Sequence, residues 1–253
     1  MARSSPMRAL LSLLLLSAPL SAVEPIDREA LVRRHNPTVR SVDPDASFAV
    51  GNGGFAFGAD ITGLQTFADH HHRFGVPVET LSRWAWYSET NPQNYTLADA
   101  SKPFTRADGR IVEYPTLQSS PAGEWLRRNP RSHPLGQLAF ERIGENAVPI
   151  TGDEIQRPEQ ALDMWRGIIE SRFILDEVPV KVTTVCHPEL DLVAVRVESE
   201  LLDRLAVRLA FPRGHDASIK NTPPLDWSEV DSHTTETTHR KPQRVDLLRR
   251  RDA

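Results

Sequence analysis

The stretch from Ala161 to Phe211 constrains this chain more than any other, because its apolar residues recur at every second position through four successive segments. From Gly167 to Leu175, the residues Ile169, Ser171, Phe173 and Leu175 fall on one side, with Ile168, Glu170, Arg172 and Ile174 on the other. Asp176-Glu177 makes a turn. Val178, Val180, Val182 and Thr184 then oppose Pro179, Lys181, Thr183 and Val185. Cys186-His187-Pro188-Glu189 breaks the chain, Leu190 to Val197 resumes the alternation, and Leu205 to Phe211 completes the series. A side-chain period of two, β-branched residues and tight polar turns predict an antiparallel meander with one dry face. Such a meander is a building block of β-sandwiches, and it holds no evident constellation of reactive side chains.

Upstream, Asp27 is placed to cap a short helix over Ile26 to His35, anchored by Leu31 and stopped at Asn36-Pro37. Phe48 to Ile61 reads as two strands joined by Gly51-Asn52-Gly53-Gly54. That turn lacks the Lys-Ser/Thr of a phosphate loop and the third spaced glycine of a dinucleotide turn. Residues 69–104 look irregular and aromatic, and a connection of that length is either functional or pinned by its aromatics. Arg110 to Tyr114 reads as an edge strand. Ser120 and Pro121 open a helix that Asn129-Pro130 ends, and Leu135 to Ile143 alternates as a strand.

The chain has 253 residues with 39% hydrophobic content, enough for one sizeable β domain. The formal charge is -4. Positive charge gathers at the two ends, including six basic and two acidic residues in 240–253. The body between them is acidic, which excludes an extended nucleic-acid surface. The basic end reads as a solvated tail.

Residues 1–22 have the form of a secretory signal: Arg3 and Arg8, an apolar run from Ala9 to Leu16, and a small residue, Ala22, at the cut. The expected location is secreted or periplasmic, with no later run long enough to span a membrane. The single Cys186 reads as a small buried hydrophobe.

Three side-chain groups are candidates for chemistry. Asp60, Asp69, Glu79 and Glu89 could pair as acid and base, although spacing across a loop fixes no geometry. His70-His71-His72 would need His187 or His215 to complete a metal shell, and as adjacent residues of an extended turn they would point apart. The expectation is therefore no metal and no cofactor, with one histidine packing on Phe74 or bonding a carboxylate. Trp84, Trp86 and Tyr87 could form a stacking platform for a sugar ring, with Asp69 or Asn91 binding hydroxyls. The same aromatics would serve equally well in a core or a domain interface.

Several of these segments together resemble a known group. Phe48-Ala-Val-Gly-Asn-Gly-Gly-Phe-Ala-Phe-Gly-Ala-Asp-Ile-Thr-Gly-Leu-Gln-Thr-Phe67 is similar to the opening motif of exported bacterial proteins in the six-hairpin glycosidase superfamily, akin to glycoside hydrolase family 65. Leu81-Ser-Arg-Trp-Ala-Trp-Tyr-Ser88, Trp125-Leu-Arg-Arg-Asn-Pro130 and Leu162-Asp-Met-Trp-Arg-Gly-Ile-Ile-Glu-Ser-Arg-Phe173 agree with it.

The resemblance implies an all-β antiparallel β-supersandwich of the galactose-mutarotase-like, family 65 amino-terminal type, with one or two short helices. It occupies residues 23–239 after a signal at 1–22, and residues 240–253 form a basic tail or the start of a further element. The family's general acid sits on an (α/α)-barrel that follows this region. The resemblance therefore implies a fragment that carries no catalytic residue, whose partners are that barrel and an oligosaccharide or glycan substrate. A stand-alone carbohydrate-binding or scaffold module is the rival expectation.

Overall fold

The computed structural model describes residues 25–251 except 77, 89, 130, 145–146, 215–224 and 227–232. The signal segment at 1–22 lies outside the described residues, as do Glu89 and His215. The architecture is antiparallel sheets with a few short helices: α1 (Arg28–Arg33), α2 (Ala68–Arg73) and α3 (Pro121–Arg128). That is one helix more than the pattern predicts.

The main sheet has five strands in the order Thr38–Val39, Gln156–Asp163, Ile168–Leu175, Val178–Cys186 and Val193–Ser199. Every neighbouring pair is antiparallel. The alternation sorts side chains as the sequence predicts. Ile169, Ser171, Phe173 and Leu175 are buried, and Val180, Val182 and Thr184 join them on the same dry face. Asp176 and Glu177 turn the chain with positive φ at both residues, the geometry of a tight hairpin.

The meander ends sooner than expected. Leu205–Ala210 does not pair with Val193–Ser199 but with Gln137–Arg142 in a second sheet, which Val148–Pro149 completes. Leu201, in the connection that follows Val193–Ser199, is 2% exposed and packs into the core at the corner between the two sheets.

A third sheet joins Phe48–Gly51, Phe55–Ala59 and Thr80–Ser82. The three sheets share one core, to which Phe57, Leu64, Phe140, Ile169, Phe173, Val182 and Leu201 contribute.

Three further expectations need correction. Asp27 does cap α1, accepting from the Ala30 N–H at 2.9 Å, but Leu31 is exposed and anchors nothing. Residues 69–104 are not irregular throughout. They contain α2, the Thr80–Ser82 strand, Trp86–Tyr87, and Lys102–Thr105, which pairs with Ile111–Tyr114.

The basic end is not a loose tail. His233–Lys241 pairs with Arg244–Arg251 in a hairpin, so a boundary at residue 239 would cut a strand. Two threonine pairs, Thr234-Thr235 and Thr237-Thr238, lie on one strand, and Thr234, Thr235 and Thr237 pair with Arg250, Arg249 and Leu247 of the other. By contrast, α3 forms as predicted, with the Ser120 hydroxyl accepting from Gly123 N–H at 3.0 Å and Pro121 in the first turn.

Candidate functional site: an aromatic strap between two clefts

The Gly-rich motif and its continuation to Phe67 build the support for the site. Asp60 is fully buried, and its carboxylate accepts from Thr62 N–H at 2.8 Å, from the Thr62 hydroxyl at 2.6 Å and from Phe67 N–H. Gln65 donates to the Gly58 carbonyl at 3.0 Å and accepts from Leu138 N–H at 3.1 Å. Gln137 returns a bond to the Gln65 carbonyl at 2.9 Å.

From the main sheet, Gln160 donates to the Asp60 carbonyl and to Ser171 Oγ, and the Thr184 hydroxyl donates to the Gly63 carbonyl at 2.7 Å. The 60–67 turn is thus bonded to all three sheets. Buried polar groups are tolerated in a core only when their partners are complete, and here each one specifies a sheet position. Asp60 is a structural residue, walled off from any substrate.

The other carboxylates do not converge on it. Asp69 is exposed on α2, while Glu79 lies half-buried beside the Thr80–Ser82 strand. Burial pushes Asp60 up to about 6, against hydrogen bonds from Phe67, Thr62 and Thr66 that pull it down. Burial alone pushes Glu79 up to about 7.

An unfolded carboxylate titrates near about 4. The folded state therefore keeps protons that the unfolded chain has already released, and these two groups make stability fall as pH rises from about 4 to 7. His71 and His72 act in the opposite sense. Burial lowers both, so the unfolded chain takes up protons below about pH 6.5 that the folded chain refuses. The two effects oppose each other up to about pH 7.5, so the Glu79 contribution is isolated by comparing the parent with Glu79→Gln, in which the histidine contribution is shared. In urea denaturation, the stability of the parent relative to Glu79→Gln should fall by about 1 kcal/mol between about pH 6.5 and 8, and a difference that does not change with pH would contradict the raised Glu79.

The three histidines occupy a helix rather than an extended turn, which sets successive side chains about 100° apart. His70 is exposed and meets Phe74 edge-on at 5.7 Å, the packing contact expected for one of them. His71 and His72 are buried. His71 Nδ1 lies 2.9 Å from the Pro44 carbonyl, and His72 Nε2 accepts from Val78 N–H at 3.2 Å. Among the described residues no three His, Cys, Asp or Glu side chains are grouped to hold a metal ion. Cys186 is half-buried against the main core, with its thiol raised first by burial and then by Asp191.

What remains at the surface is the segment Ser82 to Tyr87. It crosses from the third sheet to a short pairing in which Trp86 faces Ser132 and Tyr87 faces Arg131. His133 N–H donates to the Ala85 carbonyl at 2.8 Å and holds the strap down. Ala85 is buried, while Trp84 and Trp86 stand 67% and 56% exposed.

Both indole N–H groups are engaged within the protein. Trp84 Nε1 donates to Asp191 at 2.6 Å, and Trp86 Nε1 donates to the Arg83 carbonyl. The Ser82 hydroxyl donates to the same Asp191 oxygen. Asn52 of the Gly-rich turn donates to the carbonyls of His187 and Leu190 at 3.1 Å, which fixes the loop that carries Asp191. The two rings are consequently held in place and offer their faces rather than their N–H groups.

Trp86 divides two open clefts, each of about 390 Å³. One is lined by Gly51, Gly53, Gly54, Leu81, Arg83 and Ser132 among others. The second is lined by Trp84, Ala85, His133, Leu135, Phe211 and Arg249. Arg249 reaches it from the terminal hairpin. Its guanidinium lies 5.3 Å from the Phe211 ring centroid and donates to the carbonyls of Leu135 and Pro212. Fixed aromatic faces beside a few polar groups are the equipment of a small-ligand site.

The structure brings Trp84 and Trp86 together on one cleft. Tyr87 follows in the same short strand by its backbone. Asn91 does not join them, because its side-chain amide bonds both the N–H and the carbonyl of Tyr95. Asp69 is on α2 and lines neither cleft.

Arg83, Ser132, His133, Asp191 and Arg249 escaped sequence reasoning. Only Arg83 had a local signal, its position directly before the tryptophans. The others arrive through tertiary contacts. Among the described residues no helix is long and apolar enough to cross a membrane. Comparison with family models, curated proteins and solved structures returned no match.

Proposed function

We propose that this chain is the non-catalytic, amino-terminal β-supersandwich portion of a secreted glycoside hydrolase of the six-hairpin kind, and that its Trp84–Trp86 strap contacts the glycan. The observation that carries this reading is the pair of fixed, exposed indole faces flanking two clefts. Aromatic faces pack against the C–H surface of pyranose rings, and clefts of this size accept one or two sugar units.

The motif residues that resemble the glycosidase group support the same reading. They bond the three sheets to one another and leave the strap at the surface, which is the division of labour expected of a supporting body. The parent reaction would be attack of water or phosphate on a glycosidic bond, assisted by an acid on the (α/α)-barrel.

Trp86→Ala tests the site. We expect at least a tenfold weaker affinity for oligosaccharide, equivalent to about 1.4 kcal/mol, with an unchanged unfolding midpoint. Lost stability with unchanged binding would make Trp86 a packing residue. The exposure of both rings also favours a second reading, a stand-alone carbohydrate-binding module. The coding sequence downstream of codon 253 separates the two: an (α/α)-barrel there favours the first, and its absence the second.

A further inference from the structure

The charge around the strap departs from the charge of the chain. Acidic residues outnumber basic ones, 34 against 30, and several arginines elsewhere pair with carboxylates. Arg33 pairs with Glu29 and Asp163, Arg40 with Glu159, Arg142 with Glu154 and Asp176, and Arg208 with Glu141.

Arg83 makes no ion pair among the described residues. It is exposed, it lines the first cleft beside Trp86, and its guanidinium lies along the backbone of Gly54, close enough that a Cβ there would stand 3.3 Å from Nε. Among the described residues no Asp or Glu lines either cleft, whereas Arg83 lines one and Arg249 and His133 line the other. The nearest carboxylate in the strap's own bonding is Asp191, which holds Ser82 and Trp84 through one oxygen.

With both indole N–H groups engaged, the polar recognition in the first cleft falls to Arg83 and Ser132. A guanidinium prefers an anion over a hydroxyl, because two parallel charge-assisted hydrogen bonds form at once.

We propose that the strap takes a saccharide bearing an anionic group, a carboxylate or a sulfate, with a sugar ring stacked on Trp86 and the anion bonded by Arg83. This rests on the carbohydrate reading above and narrows it to an acidic glycan class. The described lining residues offer the anion a guanidinium and no carboxylate that would repel it, which is part of the selectivity.

The test is titration of the whole chain, followed by calorimetry, with three probes of equal length: trigalacturonate, a sulfated neutral trisaccharide and maltotriose. At least one acidic probe should bind ten times or more tighter than maltotriose, and that advantage should shrink as salt is raised. Which acidic probe wins identifies carboxylate or sulfate as the recognised group. Arg83→Gln should remove the advantage by weakening the acidic probe at least tenfold more than it weakens maltotriose, while Arg83→Lys should restore part of it.

Equal binding of all three probes by the unaltered chain would overturn the acidic preference and leave the carbohydrate reading standing. An advantage that survives Arg83→Gln would overturn the role of Arg83. Binding of none of the three would overturn the carbohydrate reading as well.

Discussion

Asp60→Ala is expected to destabilise the protein by about 3–5 kcal/mol, the largest loss of any single substitution in this account. The change removes the acceptor of two backbone N–H groups, Thr62 and Phe67, in a place water does not reach. It also removes a partner of the Thr62 hydroxyl, which keeps its contact with Thr66 Oγ1 at 2.9 Å. Each orphaned buried donor costs about 1–3 kcal/mol. For a domain of this size a loss of that scale lowers the melting midpoint by roughly 10 °C or more.

Asn at this position keeps one acceptor but turns an amide N–H toward a backbone donor, so Asp60→Asn should recover less than half of the loss. A midpoint within 2–3 °C of the parent, by roughly the same scaling, would show that the turn is not what joins the three sheets.

Gly63→Ala should cost about 3 kcal/mol through a different route. Gly63 has φ of +81°, where a side chain is strained. An added Cβ would stand 2.9 Å from Val182 Cγ1 and 3.0 Å from Ser171 Oγ, both on the buried face of the main sheet. The turn would have to lift, and the bond from the Thr184 hydroxyl to the Gly63 carbonyl would lengthen with it. Guanidinium denaturation of the two chains side by side gives the difference. A Gly63→Ala chain as stable as its parent would mean the turn has room to move.

These two positions also mark what the sequence disclosed. The main sheet was legible because period-two alternation fixes the dry face, and the two-residue turn at Asp176-Glu177 then fixes the register that sets Phe173 opposite Val180. The caps at Asp27 and Ser120 were legible because a short polar side chain before a helix has one good use.

The destination of Leu205–Ala210 was not legible. An alternating strand records which of its faces is dry but not which sheet will pair with it, and that depends on tertiary packing. Asp60 looked like a reactive carboxylate because a sequence cannot show that its oxygens are already bonded. Trp84 and Trp86 could have been core residues, since exposure belongs to the assembled fold. Arg249 lies 165 positions beyond Trp84, and no local pattern could have placed it on the same cleft.

The central claim is that the two strap tryptophans present their faces to a sugar. The most direct measurement is the indole N–H region of a nitrogen-resolved NMR spectrum of the whole chain, recorded while an oligosaccharide is added. The chain has five tryptophans and therefore five indole signals. The account predicts that the signals of Trp84 and Trp86 move in a saturable way while those of Trp125 and Trp165 stay in place. Movement of Trp125 or Trp165 with the strap signals unmoved, or no movement at all at millimolar sugar, would contradict it.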